Sequence, residues 1–360
     1  VRILHLVDRL TGRGGAYTHL RGVVAAQVEA GHAVCLVAGD ADPGPAWPCP
    51  TRQARGLESR TRERVDLDAH ERDWAPDLVH VHTVTNPLAL EWAAGRCAVI
   101  TVQDHRPFCP YRGKWKRDGQ PCREPLARET CAPCFEDTAY FGEVWALTTA
   151  RLQAVCRMEA IVLSRYMREE MVGAGLDAAR VHVVPPFVHG LDGDVPPDGD
   201  ACLLFAGRLT ESKGVRDAVA AWRKSGLALP LVMAGTGPLR EWAASEGAEV
   251  LGWVEHDHMA GLYRRAAALV MPSRWQEPFG IAGLEALTLG TPVAAWRSGG
   301  VAEWHPGGPG LAEWGDVDGL AAAVRACAGG RAAAPAGFAR ATAMAALEAV
   351  YARAVARKVA

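Results

Sequence analysis

Glu277 and Glu285 stand eight positions apart in the run SRWQEPFGIAGLEALTLGTPV, on either side of a turn that leads from an apolar strand (ALVMPS) into a helix. Pro278 and Gly280 bend the chain there, so the amides of Phe279, Gly280 and Ile281 can point outward as the unsatisfied donors of a helix start, which attract phosphate. Glu285 follows Ile281 by one helical turn and so faces back to the same side. One carboxylate can then hold sugar hydroxyls and the other a ribose. A bare pair at this spacing is more often a surface Glu plus an ordinary helical Glu; its setting after a buried strand is what points to a site.

A second element points the same way. In LLFAGRLTESKGV a short apolar strand, Cys202 to Ala206, runs into Gly207 and Arg208, then Lys213, then a helix. Arg208 offers a flat donor fork and Lys213 a mobile point charge, and with a helix start they suit a diphosphate whose charge grows as a bond to it breaks. The alternative is a pair of solvated surface cations. Near the start of the chain, Gly14 and Gly15 precede a helix. They either let the backbone approach a ligand at the carboxyl end of the first strand or serve a tight turn of positive φ, and the residues alone favour neither.

These motifs come with an opening strand and Gly-rich turn (RILHLVDRLTGRGGAYTHL), PDLVHVH, AVITVQDH, AIVLSRYMREEM, VHVVPPFV, VMAGTGPL and VLGWV, in that order. Taken together the chain resembles, over nearly its whole length, the family 4 glycosyltransferases of the GT-B fold. These are retaining enzymes that move a sugar from a nucleoside diphosphate to an acceptor. The resemblance implies an α/β chain of two Rossmann-like domains facing each other across a cleft. It puts Arg208 and Lys213 on the diphosphate, Glu277 on the donor sugar, the amides of Phe279, Gly280 and Ile281 on the phosphates, and Glu285 on the ribose. Gly14, Gly15, Gly235 and Val254 also fall on the donor side, with the base near Trp253 and Val254. Domain closure would bring the Gly14–Gly15 turn to the diphosphate and expel water.

The family commonly carries a His in the turn after the fourth strand. Here Gln103 stands at that place, with His105 two residues on and so on the same face of a strand. Either residue is a candidate for the catalytic role beside Glu277, and Asp104 and His105 can also be a structural pair. His80 and His82 share one strand face and read as packing groups rather than ligands. No DxD motif calls for a divalent ion, so turnover without Mg²⁺ and without a catalytic cofactor is expected. The rival readings are a nucleotide-sugar 2-epimerase of the same fold and a non-catalytic nucleotide-sugar-binding protein. A dehydrogenase is disfavoured, because GRGGAYTHLRG lacks the G-x-G-x-x-G spacing.

The elements that must position these groups follow from length and pattern. A chain of 360 residues exceeds what one core usually supports. Apolar strands near 2–7, 33–38, 78–82, 98–102 and 160–164, then near 202–206, 230–234, 249–254, 268–272 and 292–295, alternate with helical patterns, which means parallel sheets. The domains expected are 1–187 for the acceptor, 188–340 for the donor, and a terminal helix over 341–360 that by analogy crosses back to the first. The linker is PPFVHGLDGDVPPDGD. Residues 39–76 are charged and Pro-rich and read as a surface excursion. A formal charge of −2 disfavours nucleic acid as a partner. No apolar run of about 18 residues and no secretion signal is apparent, so a cytoplasmic enzyme with no transmembrane segment is expected. The Ala, Arg and Gly richness, with Asn86 the only Asn, suggests a GC-biased bacterial genome.

Four of the ten cysteines gather in a loop over 106–136: Cys109, Cys122, Cys131 and Cys134. A loop this poor in apolar residues needs a staple, and a close CxxC with two further thiols can make a tetrahedral site. Structural zinc is the first reading, reduced or disulfide-paired cysteines the second and an iron–sulfur cluster the third. Cys35, Cys97 and Cys202 read as small core residues. The cysteine loop is expected to line the acceptor pocket. The acceptor is a glycan, a lipid-linked intermediate or a small natural product, and the donor a UDP-, GDP- or ADP-sugar.

Overall fold

The computed structural model describes residues 1–42, 46–191, 196 and 199–359; Pro43, Pro45 and the linker positions 192–195 and 197–198 lie outside them. The chain divides into two compact units, Val1–Phe187 with Ala339–Ala360, and Val188–Phe338.

The first unit holds seven strands: β1 (Arg2–Leu10), β2 (Ala33–Ala41), β3 (Thr51–Gln53), β4 (Leu78–His82), β5 (Ala98–Val102), β6 (Glu159–Val162) and β7 (Val181–Val183). They form one parallel sheet in the order β3-β2-β1-β4-β5-β6-β7. Its central strands are buried on both faces, as in a parallel sheet covered on both sides. Leu4, Leu6, Val79, Val81 and Ile100 pack with Leu90 and Ala93 of the helix Pro87–Ala94 and with Ala154 and Val155 of the helix Thr138–Val155. On the other face Ile3, Leu78, Val99 and Ile161 meet Leu347, Val350 and Tyr351 of the helix Arg340–Val359. The helix Gly15–Glu29 ends on Gly31 at φ +83°, with the His32 amide bonded back to the Gln27 carbonyl. That left-handed position favours glycine.

The 39–76 stretch is more than a surface excursion. Thr51–Gln53 adds an edge strand to β2, and Leu57 and Leu67 are buried in the core of the unit. Asn86 secures it: its side chain caps the helix Pro87–Ala94 and donates to the carbonyls of Gly56 and Glu63. Two apolar anchors among many charges leave no periodic trace, which is why the pattern hid them.

The second unit holds β8 (Cys202–Ala206), β9 (Leu231–Ala234), β10 (Glu249–Gly252), β11 (Ala266–Met271), β12 (Val293–Trp296) and β13 (Leu311–Ala312) in one parallel sheet of order β10-β9-β8-β11-β12-β13. The helices Val215–Ser225 and Val317–Cys327 pack on it through Val215, Ala218, Val219, Leu320 and Val324. In both sheets the strand order reverses beside the first strand, between β1 and β4 and between β8 and β11. Open α/β sheets bind ligands at the carboxyl ends of strands at that reversal. Among the described residues no helix is long and apolar enough to cross a membrane.

Candidate functional site

In the second unit the segments that leave β8 and β11 at the reversal are hooked together. The amides of Arg274 and Trp275 both bond to the Ser212 carbonyl, at 3.0 and 3.1 Å. Gly214, at φ +72°, sits so close to β11's exit that a Cβ there would lie 1.8 Å from the Pro272 carbonyl oxygen. Only glycine permits that approach. Arg274 then grips Asp217 through two bonds of 2.6 and 2.7 Å, fixing the loop to the helix Val215–Ser225.

This clamp delivers Lys213 to Glu277. The Lys213 Nζ lies 2.6 Å from Glu277 Oε1 and 4.6 Å from the centre of the Trp275 ring. Glu277 is 4% exposed and also accepts a bond from the Ser273 hydroxyl. Burial alone would raise its carboxyl, but the Lys213 ammonium and the bonds from Lys213 and Ser273 outweigh that and hold it below the usual carboxylate value. The turn after β12 fixes the Glu277 backbone: the Gly300 amide bonds to its carbonyl at 2.8 Å, and a Cβ on Gly299 would fall 2.2 Å from that same oxygen.

Beyond Glu277, Phe279 is buried and Gly280, at φ +88°, opens the helix Ile281–Thr288 without any capping side chain. Glu285 belongs to a separate group. It is buried and accepts the Tyr263 hydroxyl at 2.8 Å; burial raises its carboxyl, partly offset by His256 and by the Tyr263 bond. Arg208 is exposed, and among the described residues its guanidinium has no partner. Gly235 makes room for the Arg208 loop, since a Cβ there would lie 1.8 Å from the Gly207 carbonyl oxygen. Val254 is half-buried just after β10, beside Trp253, whose indole donates to Glu255.

In the first unit, Gly14, at φ +108°, precedes the helix Gly15–Glu29 with no capping side chain. Gln103 is half-buried, its Nε2 3.3 Å from Nδ1 of His19 on that helix. β5 ends at Val102 and the chain then turns, so His105 does not follow Gln103 along one strand face. His105 is 1% exposed, with Nε2 3.1 Å from the Tyr166 hydroxyl and its ring edge-on to Phe108. Asp104 pairs with Arg106 at 2.6 Å.

The cysteine loop starts there. Cys109 Sγ accepts the Lys114 amide at 3.4 Å, a bridge between Trp115 and Pro121 closes a small hairpin, and Lys114 pairs with Glu170 at 2.9 Å. Burial raises the thiols of Cys109, Cys131 and Cys134, and a charge on Cys122 would raise each further, so Cys122 is the common neighbour of the other three. Among the described residues the four sulfurs do not close into a metal-ligating cluster. Cys35 on β2 and Cys202 on β8 are buried, as is Cys97 just before β5.

Sequence reasoning missed Ser273, Tyr263 and the Ser298–Gly300 turn. The Ser-Gly-Gly after β12 was a visible signal for the last; Tyr263 left none, since it reaches Glu285 from another helix.

Residues 14–186 match the family described as "Glycosyl transferase 4-like domain" and residues 200–329 the family described as "Glycosyl transferases group 1". The chain is 31% identical over 283 residues to the glycogen synthase of Mycobacterium tuberculosis, an alignment covering 71% of this chain and 61% of that protein. It is 29% identical to a 2-deoxystreptamine N-acetyl-D-glucosaminyltransferase of Streptomyces fradiae, over 64% of this chain and 57% of that protein. Among solved structures it is similar to Anabaena HepE in complex with UDP-glucose, with a TM-score of 0.64 at 17% identity, covering 99% of this chain and 95% of the other. Sucrose-phosphate synthase of Thermosynechococcus elongatus gives a TM-score of 0.65 at 19% identity, covering 100% and 97%. The two Rossmann-like domains thus match GT-B glycosyltransferase structures.

Proposed function

With a glycosyl transferase 4-like domain followed by a group 1 domain, the chain is, we propose, a retaining glycosyltransferase that moves a hexose from a nucleoside-diphosphate sugar, UDP-linked in the first instance, to a glycan, lipid-linked or natural-product acceptor. The observation that carries this reading is the Lys213–Glu277 pair at the β8/β11 reversal, beside an uncapped helix start and the unpartnered Arg208. The bond between the anomeric carbon and the phosphate oxygen breaks, negative charge grows on the departing diphosphate, and Arg208, Lys213 and the amides of Phe279, Gly280 and Ile281 receive it. Lys213 has further N–H donors beyond the one held by Glu277. Glu277, kept ionised by Lys213, accepts hydroxyls of the donor sugar, and Glu285 accepts those of the ribose. The acceptor proton passes to the departing phosphate oxygen, on the same face of the sugar. Gln103, half-exposed beside the Gly14–Gly15 helix start, is a better candidate than the buried His105 for a polar contact made by the first unit. A UDP-glucose complex of Anabaena HepE, a protein of the same fold, agrees with a UDP-sugar donor.

Cys109, Cys122, Cys131 and Cys134 fit a structural zinc site in donor chemistry and in the amide bond to Cys109 sulfur, and would close around the ion on binding. Zinc would brace the loop and supply no chemistry, since four thiolates leave no open position. A cytoplasmic, bacterial setting goes with this reading.

A thermal-shift panel of UDP, GDP and ADP and their sugars tests the donor, because a ligand of the native state raises its stability by mass action. Transfer is then followed with the best donor and an acceptor library, reading the anomer of the product. Retained configuration and loss of transfer in Glu277→Ala are expected. Release of epimerised nucleotide sugar without any acceptor overturns the reading in favour of an epimerase.

A further inference from the structure

Three buried histidines on β1 and β4 of the first unit lie outside the group of residues described above. His5 lies on β1, directly opposite His80 on β4, and His82 is two residues on along the same strand, so all three rings project from one face. They are 0%, 1% and 1% exposed. The ring centres of His80 and His82 are 3.9 Å apart, with His5 5.2 and 5.1 Å from them.

The six ring nitrogens are held by a directed network with one gap. His5 Nε2 is 2.8 Å from Gln27 Oε1, His5 Nδ1 is 2.9 Å from His82 Nε2, and His80 is held by the Tyr351 hydroxyl at 2.6 Å and Thr101 Oγ1 at 2.7 Å. Gln27 Nε2 donates to the Tyr351 oxygen at 2.7 Å. Tyr351 therefore donates to His80 Nδ1, and His80 donates through Nε2 to Thr101. His5 carries its proton on Nε2, so His82 must donate through Nε2, and its Nδ1 is left as a buried lone pair without a partner. Turning the Gln27 amide over reverses every donor and leaves the same atom orphaned, now as an N–H. An unsatisfied buried polar atom costs about 1–3 kcal/mol. Beside it, His80, His82, Thr101 and His19 line a small cavity with room for about one water.

One ring nitrogen from each of the three histidines lies within 4.8 Å of the others. We propose that His5, His80 and His82 are the ligands of a first-row divalent metal ion, zinc by donor type and number, with its fourth position facing this cavity. A His82 tautomer with its proton on Nδ1 donates a hydrogen bond from that N–H toward the cavity and turns its Nε2 lone pair toward the His5 Nδ1 lone pair. Two lone pairs face to face repel unless a cation lies between them. Imidazole nitrogens bound tetrahedrally to zinc stand about 3.3 Å apart, so the His5–His82 separation of 2.9 Å has only a few tenths to open. His80 gives up one of its two hydrogen bonds for the third metal bond. Gln27 on His5, and Thr101 or Tyr351 on His80, remain as the outer partners that fix ring orientation at metal sites. Burial holds all three imidazoles neutral, the form that binds a metal.

The test separates this site from the thiols of the cysteine loop. The full chain is produced in cobalt-supplemented medium, alone and as the C131S/C134S double variant, and metal content and visible absorption are measured on the folded protein. The double variant is expected to keep about one cobalt per chain, with d–d bands and no sulfur-to-cobalt charge transfer. Adding His82→Gln or His5→Gln is expected to lower that occupancy at least about tenfold, with the far-ultraviolet circular dichroism unchanged. A folded double variant without cobalt overturns the proposal, as does equal cobalt in it and in either histidine variant. Should His82→Gln not fold, His5→Gln and the spectrum of the double variant decide.

Discussion

Lys213→Met tests the pair at the centre of the site. Glu277 is 4% exposed with the ammonium 2.6 Å away, so the substitution strands a buried carboxylate. Left charged, such a group costs about 3–5 kcal/mol. Proton uptake caps the cost: for a carboxyl near 4.3 in the unfolded chain, protonation at pH 7 costs about 1.36 × 2.7, or about 4 kcal/mol. The expected loss at neutral pH is therefore about 2–4 kcal/mol. In the native protein the Glu277 value is depressed, so its stabilising share is present above the unfolded value and is lost as pH falls through the folded one. In Lys213→Met the value is raised, and the penalty fades as pH falls toward the unfolded value. The difference between the two proteins must shrink on acidification. Two units do not give one unfolding free energy, so the assay is native-state hydrogen exchange of peptides covering β11 and the helix Ile281–Thr288. The variant is expected to exchange roughly 30- to 1,000-fold faster at pH 7, from about 1.4 kcal/mol per factor of ten. In a Glu277→Gln background the same substitution should cost less than about 1 kcal/mol. Equal acceleration in both backgrounds, or at pH 7 and about pH 4.5 alike, refutes the reasoning.

Arg208→Ala, at an exposed and unpartnered side chain, should leave stability within about 0.5 kcal/mol yet slow transfer by about 100-fold or more; a thermal melt beside a turnover assay reads both. Glu285→Gln should weaken UDP binding roughly 10- to 100-fold by calorimetry, the worth of a hydrogen bond to a charged group, and unchanged affinity would remove Glu285 from the ribose. Gly283→Ala would bring a Cβ to 1.9 Å from the Trp304 ring, so a loss of about 1–3 kcal/mol is expected in thermal unfolding. Transfer should proceed without added Mg²⁺, and strict dependence on added Mg²⁺ would contradict the charge clamp of Arg208 and Lys213.

The central strands were legible because a parallel sheet buried on both faces leaves unbroken apolar runs. Cys202–Ala206 and Ala98–Val102 could be read almost to the residue. The edge strands Thr51–Gln53 and Leu311–Ala312 could not, since each pairs on one side and is too short to carry a period. Glu277, Lys213 and Gly280 were visible as residue types after strands, whereas the contact between Glu277 and Lys213 joins residues 64 positions apart in the chain. His105 went astray because a face argument holds only within a strand, and β5 stops three residues earlier. The histidine cluster needed β1 beside β4, a neighbour relation set by sheet order rather than by spacing along the chain.

The helix Arg340–Val359 closes one face of a sheet whose first strand begins at Arg2. On a ribosome, Ile3, Leu78, Val99 and Ile161 must wait uncovered while the whole of 188–338 is synthesised. The second unit can finish folding while the first is still missing a wall. A chaperone, a protease or a neighbouring nascent chain therefore meets this protein first through that open apolar face, and the interval ends only when residues 339–359 emerge.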